Sequence, residues 1–226
     1  MRKEPEIMSS RTEKKVAKLN ALAKAGVVNA EGFYTVGGRT AIDFANSSQR
    51  FGKEGEGLEK LEELLSFLKS MGHLHEEEAS SYHMYLFQNP ERCAKTMELL
   101  RSVRARFLAV LGQAASGWPV DPTFVTELNE HLEGFKTHLC IEPVDGGLEL
   151  NTRLSDQGPE QLLYPIFKDI AEFMVSDQLD KIRQCASETC DLYFINQSRN
   201  GRRRWCSMST CGNRAKVNAY LKRQEA

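Results

Sequence analysis

Four cysteines near the carboxyl end of the chain are arranged in two pairs of the form C-x4-C, separated by fifteen residues: Cys185, Cys190, Cys206 and Cys211. Zinc prefers four thiolate or imidazole ligands in a tetrahedron, and two short-spaced pairs supply them because each pair closes a tight turn. Four thiolates leave no open coordination position, so a metal bound here would stabilise the fold without catalysing a reaction. The spacing therefore predicts one structural zinc ion.

Disulfides and an iron–sulfur cluster are the alternatives for these cysteines. The first fifteen residues contain no apolar segment typical of a signal peptide, and no apolar run is long enough for a membrane-spanning helix. We therefore expect a cytoplasmic chain without membrane contact, where cysteines serve metal or redox chemistry more often than structural disulfides. Zinc is favoured over iron because the pairs bracket a segment that reads as a regular hairpin.

The predicted hairpin has strands over residues 192–195 and 203–205, with a turn at residues 199–201. A basic helix is predicted after Cys211, with Val217, Tyr220 and Leu221 packed on the hairpin. A knuckle, a hairpin and a helix that carries the last ligand in its first turn form a treble-clef-like layout. We call residues 181–226 the zinc module.

Charge is unevenly distributed along the chain. The zinc module carries ten lysines and arginines against three acidic residues, a net charge of +7, while residues 1–180 carry −8. This asymmetry is typical of a protein with one segment that binds a polyanion. Arg203 should point away from its two neighbours if it lies in a strand. The predicted nucleic-acid contacts are Arg199, Arg202, Arg204, Arg214, Lys216, Asn218 and Lys222.

Three other roles are open for these basic residues. They could keep a small module soluble, or they could offset the formal charge of −2 on a four-thiolate zinc site. They could also bind an acidic protein partner or the acidic remainder of this chain. Arg199, Arg204 and Arg214 lie closest in sequence to the cysteines.

Residues 1–180 are predicted to form a separate, mostly helical domain, so the fold class is α+β. Apolar spacing, caps and glycine or proline stops predict six helices and two hairpins. The helices are expected over residues 11–25, 58–68, 73–89, 91–115, 123–132 and 159–175, and the hairpins over 32–46 and 135–153. Trp118, Cys93 and Cys140 are predicted to be buried.

Signs of catalysis are weak in this sequence. There is no glycine-rich phosphate loop, no nucleophile elbow and no plausible triad, so we expect no enzyme activity. Asp43 and Asn46 are candidates to line a ligand pocket, although such residues more often cap or turn the chain.

The zinc module resembles the CGNR-type zinc finger, named for a signature that matches Cys211-Gly212-Asn213-Arg214. Further matches are Ser198-Arg199-Asn200, Arg204-Trp205-Cys206, Met208 and Lys216, whereas Asn196 stands where the family often has aspartate. Proteins of that family carry an N-terminal domain described as a putative stress-induced transcription regulator. Residues 41–47, AIDFANS, resemble the opening motif of that domain.

The resemblance implies zinc binding and transcriptional regulation. We expect a regulator whose zinc module binds DNA and whose helical domain either senses a small-molecule effector or forms a homodimer, which would read paired half-sites. The alternative is a zinc-stabilised protein-interaction module on a ligand-binding domain, with no role in DNA binding.

Overall fold

The computed structural model describes residues 10–51, 53–155 and 158–224 of the chain. Eight α-helices and two small antiparallel sheets occur in this part. The helices are α1 (Ser10–Lys24), α2 (Thr40–Asn46), α3 (Leu61–Ser70), α4 (Glu76–Gln88), α5 (Pro90–Ala115), α6 (Pro122–Glu133), α7 (Tyr164–Met174) and α8 (Asn213–Gln224). The strands are β1 (Thr137–Val144), β2 (Gly147–Leu154), β3 (Ile182–Gln184) and β4 (Tyr193–Ile195). The predicted fold class is confirmed: the N-terminal region is mostly helical with a two-stranded hairpin, and the C-terminal region has a cluster of four cysteines with a hairpin and a helix.

Helix α5 lies at the centre of the helical body, which we define as residues 37–180. It begins at Pro90, where the missing proline N–H would have no partner within the helix. One face buries Leu100, Val103 and Phe107, and helices α2, α3, α4 and α6 pack around it. The rings of Phe107 and Phe124 stack with centroids 6.0 Å apart, which joins α5 to α6.

Most predicted helices are present, with ends shifted by a few residues. The Asp121 side chain accepts a hydrogen bond from the Thr123 N–H at 2.9 Å, so the predicted cap at the start of α6 is confirmed. The helix predicted over residues 159–175 begins as a 3-10 turn, Pro159–Leu163, and continues as α7. Local signals placed these elements correctly because caps and prolines act on the backbone beside them.

The hairpin predicted over residues 32–46 is wrong. An isolated bridge joins Val28 to Tyr34, and residues 40–46 form the helix α2. Every residue of α2 after Thr40 is buried, so its apolar side chains are not confined to one face as in an amphipathic helix. The alternation of Ile42 and Phe44 with other residues therefore resembled the pattern of a strand. The Asp169 carboxylate accepts the Ala41 N–H at 2.7 Å and so stabilises the start of α2 from α7.

The second predicted hairpin is confirmed as β1 and β2, which turn at Asp145-Gly146. Residues of one face carry no charge, and four of them, Leu139, Ile141, Leu148 and Leu150, are between 63% and 75% exposed. Cys140 on the other face is half-buried, so its predicted burial is wrong, whereas Cys93 is buried as predicted.

In the zinc module, β4 pairs with β3 and the predicted pairing with residues 203–205 is wrong. The carbonyls of Gly201 and Arg203 accept hydrogen bonds from the Asn196 side chain, and the Arg204 carbonyl accepts the Ala186 N–H. These bonds occupy groups that a strand over residues 203–205 would use. The β3–β4 hairpin therefore flanks the first cysteine pair.

Four exposed residues also differ from the expected packing. Val217, Tyr220 and Leu221 on α8 are about half exposed, so their predicted packing on the hairpin is wrong. Trp118 is 70% exposed, because α5 ends at Ala115 and Gly117, with φ +74°, turns the chain away. Apolar residue types on α8 and at Trp118 indicated burial, but the sequence did not show which elements would cover these side chains.

Candidate metal centre and basic surface

The Sγ atoms of Cys185, Cys190, Cys206 and Cys211 all lie within 4.8 Å of one another. Two Sγ–Sγ distances, Cys190 to Cys206 and Cys206 to Cys211, are 3.7 Å. A tetrahedron with metal–sulfur bonds of about 2.3 Å has edges of about 3.8 Å. The cluster therefore has the dimensions of a four-thiolate zinc site.

The two cysteine pairs are held by different backbone structures. Cys185 follows β3 and its N–H donates to the Leu192 carbonyl at 2.9 Å, while the Cys190 N–H donates to Ser187 at 3.0 Å. Cys211 lies in a π-helical turn, Met208–Gly212, that leads directly into α8. The Cys206 N–H donates to the Cys185 sulfur at 3.4 Å, which links the two pairs.

Gly212 and Arg214 have structural roles beside the last ligand. A Cβ atom at Gly212 would lie 2.8 Å from the Met208 sulfur and 3.1 Å from the Trp205 ring, so a side chain would disturb the turn. The Arg214 guanidinium donates to the Thr189 hydroxyl and thereby joins α8 to the first cysteine pair. Two residues of the Cys-Gly-Asn-Arg signature thus have a physical explanation.

Burial and hydrogen bonding shift the pKa values of three of the thiols in different directions. Hydrogen bonding from Cys206 lowers the pKa of Cys190 to about 5, and the same bond, together with burial, raises the pKa of Cys206. Burial also raises the pKa of Cys185. A divalent metal ion among these sulfurs would oppose the rise in the pKa of Cys185 and Cys206, because its charge stabilises the thiolate form.

An apolar cluster surrounds the thiols, and part of it comes from the other end of the chain. Leu192 and Phe194 are joined there by Val27, Val28 and Val36, all buried. Leu19, Leu22 and Ala23 of α1 pack against the same cluster. Sequence reasoning missed these residues because hydrophobic spacing alone does not show which core a short segment joins.

Arg203 and Asn196 were also missed, and both organise the loop between β4 and Cys206. The Arg203 guanidinium lies 4.2 Å from the Phe194 ring centroid and donates to the carbonyls of Trp205 and Cys206. Burial lowers the pKa of Arg203. Asn196 donates through its amide nitrogen to two carbonyls, which an aspartate could not do. The asparagine at position 196, where the family often has aspartate, was the sequence signal that could have pointed to this role.

Every predicted nucleic-acid contact is exposed, and none is buried in the zinc cluster. The Arg204 guanidinium lies 5.2 Å from the Trp205 ring centroid, and Arg214 binds Thr189 as described. Asn218 and Lys222 follow Arg214 at intervals of four residues along α8. The exposed set consists of Arg199, Arg202, Arg204, Arg214, Lys216, Asn218 and Lys222.

Asp43 and Asn46 are both buried and both bind main-chain groups. The Asp43 carboxylate accepts the Gly37 N–H at 2.8 Å, and burial raises its pKa to about 7 against the opposing effect of that bond. Asn46 donates to the Tyr193 carbonyl at 2.9 Å and accepts the Tyr193 N–H at 2.8 Å. Asn46 thus joins α2 to β4, and a ligand pocket at these residues stays a prediction.

Two family models match the chain. Residues 38–177 match a family described as a putative stress-induced transcription regulator, and residues 181–224 match the CGNR zinc finger. A search of curated proteins finds no match. In the part of the chain that the structure describes, no helix is long and apolar enough to cross a membrane. Geometry and family together make the four cysteines one structural zinc site.

Proposed function

The chain belongs to the family of putative stress-induced transcription regulators with a CGNR zinc finger, and on that premise we propose that its zinc module binds DNA. The observation that carries the proposal is the exposed basic set on α8 and the loop before Cys206. The proposed role is regulation in the cytoplasm, without catalysis. The division into a domain of residues 1–180 and a module of residues 181–226 stays part of this proposal.

The basic side chains differ in what they can contribute. Arg214, Asn218 and Lys222 form one stripe of α8, where arginine and asparagine can reach base edges and lysine binds phosphate. Arg199, Arg202 and Arg204 are suited to phosphate contact from the preceding loop. Arg203 is excluded because its guanidinium is already bound to main-chain carbonyls within the module.

Enough positive charge remains after the zinc site is counted. The module has a formal charge of +7, and conversion of four neutral thiols to a zinc tetrathiolate adds −2, which leaves about +5. A net positive, exposed surface attracts phosphates and releases their condensed counterions. DNA binding by this surface must therefore weaken steeply with salt.

The test is a salt titration with random duplex DNA. Wild-type protein is expected to show a linear fall of log affinity with log salt concentration, with a slope of about −0.9 for each phosphate contacted. The double variant Arg214→Ala/Lys222→Ala should reduce that slope by about 2. A matched control, Lys95→Ala/Lys136→Ala, removes two exposed charges from the helical body and should leave the slope unchanged.

Equal affinity of wild type and the Arg214/Lys222 variant at every salt concentration would refute a recognition role for α8. Circular dichroism and zinc content of each variant would show that the fold is retained. Lack of salt-dependent binding by the wild type would overturn DNA binding as a whole.

One observation favours the alternative of a protein-interaction module. Val217, Tyr220 and Leu221 leave an apolar stripe on α8 about half exposed, beside its basic residues. Amphipathic helices of this kind dock in grooves of partner proteins. Substitution of Tyr220 by serine would abolish such an interaction and leave the salt slope on DNA unchanged.

We also propose a homodimer, built on the exposed apolar face of the β1–β2 hairpin. An isolated two-stranded hairpin is marginally stable in water, and this one has a whole face without a charged residue. Two copies can pack face to face there without like charges meeting, and a two-fold dimer suits paired half-sites. Sedimentation should give a dimer for wild type and for the control Glu149→Gln, and a monomer for Ile141→Glu. A monomeric wild type would refute the proposal.

A further inference from the structure

The two ends of the chain are both basic, and the segment between them is acidic. Residues 1–36 carry seven basic and four acidic residues, a net charge of +3, and the zinc module carries +7. The helical body, residues 37–180, carries thirteen basic and 24 acidic residues, a net charge of −11. Positive charge is therefore concentrated in two segments that are far apart in sequence.

The fold brings these two segments together. Val27 and Val28 directly follow α1 and are buried in the apolar cluster that contains Cys185, Cys206 and Cys211. Hydrogen bonds from Val27 to Leu22 at 3.0 Å and from Thr35 to Val27 at 3.1 Å fix the connection. The N-terminal segment, residues 10–36, thus contributes to the zinc-binding region, although its Phe33 is buried in the main cluster of the helical body.

The contact between them extends to charged and aromatic side chains. The Tyr34 side chain packs against the same cluster as the cysteines that precede α8. On α1, Leu19, Leu22 and Ala23 face the zinc cluster. The Lys18 ammonium lies 5.6 Å from the ring centroid of Phe51, which packs on the same cluster.

Because its apolar face is turned to the zinc cluster, α1 presents lysines on its outer side. Lys14 and Lys18 are one turn apart and exposed. Lys14 lies on the side away from Leu19 and Ala23, and Lys18 lies at the edge of the apolar face, one turn before Leu22. Lys24 is exposed at the end of the helix. This spacing of cations along a helix suits successive phosphates of one DNA strand.

We propose that α1 is a second element of the DNA-binding surface, which contacts backbone phosphates through Lys14 and Lys18. The inference rests on the proposed DNA binding by the zinc module and extends it to residues outside both family matches, which begin at residue 38. In this arrangement α8 carries base contacts and α1 adds sequence-independent affinity. The acidic body keeps the duplex on the side where the two basic segments meet.

The experiment compares full-length zinc-loaded variants on random duplex DNA between about 50 and 200 mM salt. Lys14→Gln/Lys18→Gln should lower the salt slope by about 2 and weaken binding about tenfold or more at physiological salt. The control Lys95→Gln/Lys136→Gln removes the same charge from the helical body and should match wild type. Zinc content and circular dichroism should be unchanged in both.

Lysine acetylation followed by mass spectrometry gives an independent readout on the wild-type protein. DNA should protect Lys14 and Lys18 from acetylation and leave Lys95 and Lys136 as reactive as in free protein. One outcome would overturn the inference on α1: the wild type binds DNA, the Lys14/Lys18 variant keeps the wild-type salt slope, and both lysines stay reactive in the complex. DNA binding by the zinc module would then still stand. If wild type shows no salt-dependent binding, the proposed function fails, and this inference fails with it.

Discussion

The helical body and the zinc-binding region are stabilised in different ways. Among the side chains that the structure describes, the main apolar cluster contains 29 buried residues, seven of them phenylalanines, whereas the cluster around the thiols contains eight, of which three are cysteines. So few apolar side chains cannot stabilise a small region by burial alone, which is why such regions use a metal. The same chain thus relies on hydrophobic burial in one part and on metal coordination in the other.

The two regions also differ in how far their parts are separated in sequence. Consecutive helices build most of the body, although its cluster includes Ile182, Tyr193 and Ile195 of the zinc module. The zinc region joins residues 27–36 to residues 185–211, across the whole length of the body. Its stability therefore depends on the N-terminal segment as well as on the metal.

Removal of zinc is the strongest way to separate the two regions. Structural zinc sites contribute about 10–16 kcal/mol of apparent binding free energy at neutral pH, and here that free energy holds the small cluster together. With a chelator, amide protons of residues 185–192 and 203–212 should lose protection from hydrogen exchange, while α5 and α7 keep it. Mass spectrometry of exchanged fragments measures both regions in one sample.

Cysteine variants provide the control for chelation. Cys206→Ser should reproduce the loss of zinc and of protection, whereas Cys140→Ser on the hairpin should retain one zinc per chain. A zinc region that keeps its protection in chelator would show that burial suffices there, and the contrast with the body would be lost.

The pH dependence of stability should have opposite signs in the two regions. Burial raises the pKa of Asp43 to about 7 in the folded protein from its ordinary value of 3.8, so unfolding releases a proton between these pH values. Stability of the body therefore falls as pH rises through that window, by about 1.4 kcal/mol per pH unit, and levels off above about pH 7. Zinc binding gains strength over the same range because its ligands must lose protons.

Asp43→Asn isolates this effect, because the amide oxygen can still accept the Gly37 N–H and carries no titrating proton. In urea denaturation with saturating zinc, the free energy of unfolding of the variant should exceed that of wild type by an amount that grows from pH 4 to pH 7, up to about 4 kcal/mol. The two proteins should converge at pH 4. Parallel pH profiles would show that burial of this carboxyl has no cost in the folded protein.

The sequence predicted the features of both regions that depend on neighbouring residues. Pro90, the Asp121 cap and the Asp145-Gly146 turn act on the adjacent backbone, and the four cysteines were correctly grouped by their spacing. The nucleic-acid and pocket residues stay predictions, because their exposure or burial does not show what they bind.

Features that depend on distant partners were not predicted. Helix α2 is stabilised by Asp169, whose carboxylate accepts a hydrogen bond from the Ala41 N–H. The two residues are 128 positions apart in the sequence. β4 pairs with β3, and residues 203 and 204 of the predicted partner strand instead have their carbonyls bound by Asn196 and by the Ala186 N–H. No local pattern records such contacts, so hydrophobic periodicity gave the wrong element at residues 40–46 and the wrong partner for β4.

Asn46 tests how strongly the two regions are joined. Its side chain forms both hydrogen bonds of the Tyr193 main chain, and Asn46→Ala would leave a buried N–H and a buried carbonyl without partners. The expected loss is about 3 kcal/mol of unfolding free energy, since each such group costs about 1–3 kcal/mol. Urea denaturation measures it, with the hairpin variant Asn151→Ala as a control expected within about 0.5 kcal/mol of wild type. A loss as small as the control's would mean that the body and the zinc module are held together elsewhere.

Val28 gives the smallest expected effect and the most specific test of the N-terminal segment. Its side chain is 2% exposed in the zinc cluster, so Val28→Ala should cost about 1–2 kcal/mol through lost burial and the cavity left behind. Because the cluster folds with its metal, that cost should appear as roughly tenfold weaker zinc binding in competition with a chromogenic chelator. Val16→Ala is the matched control, since Val16 lies on α1 and is 43% exposed. Equal zinc affinity in both variants would mean that residues 10–36 merely cover a site that the zinc module forms alone. Weaker zinc binding in Val28→Ala alone would mean that both ends of the chain together form the zinc centre.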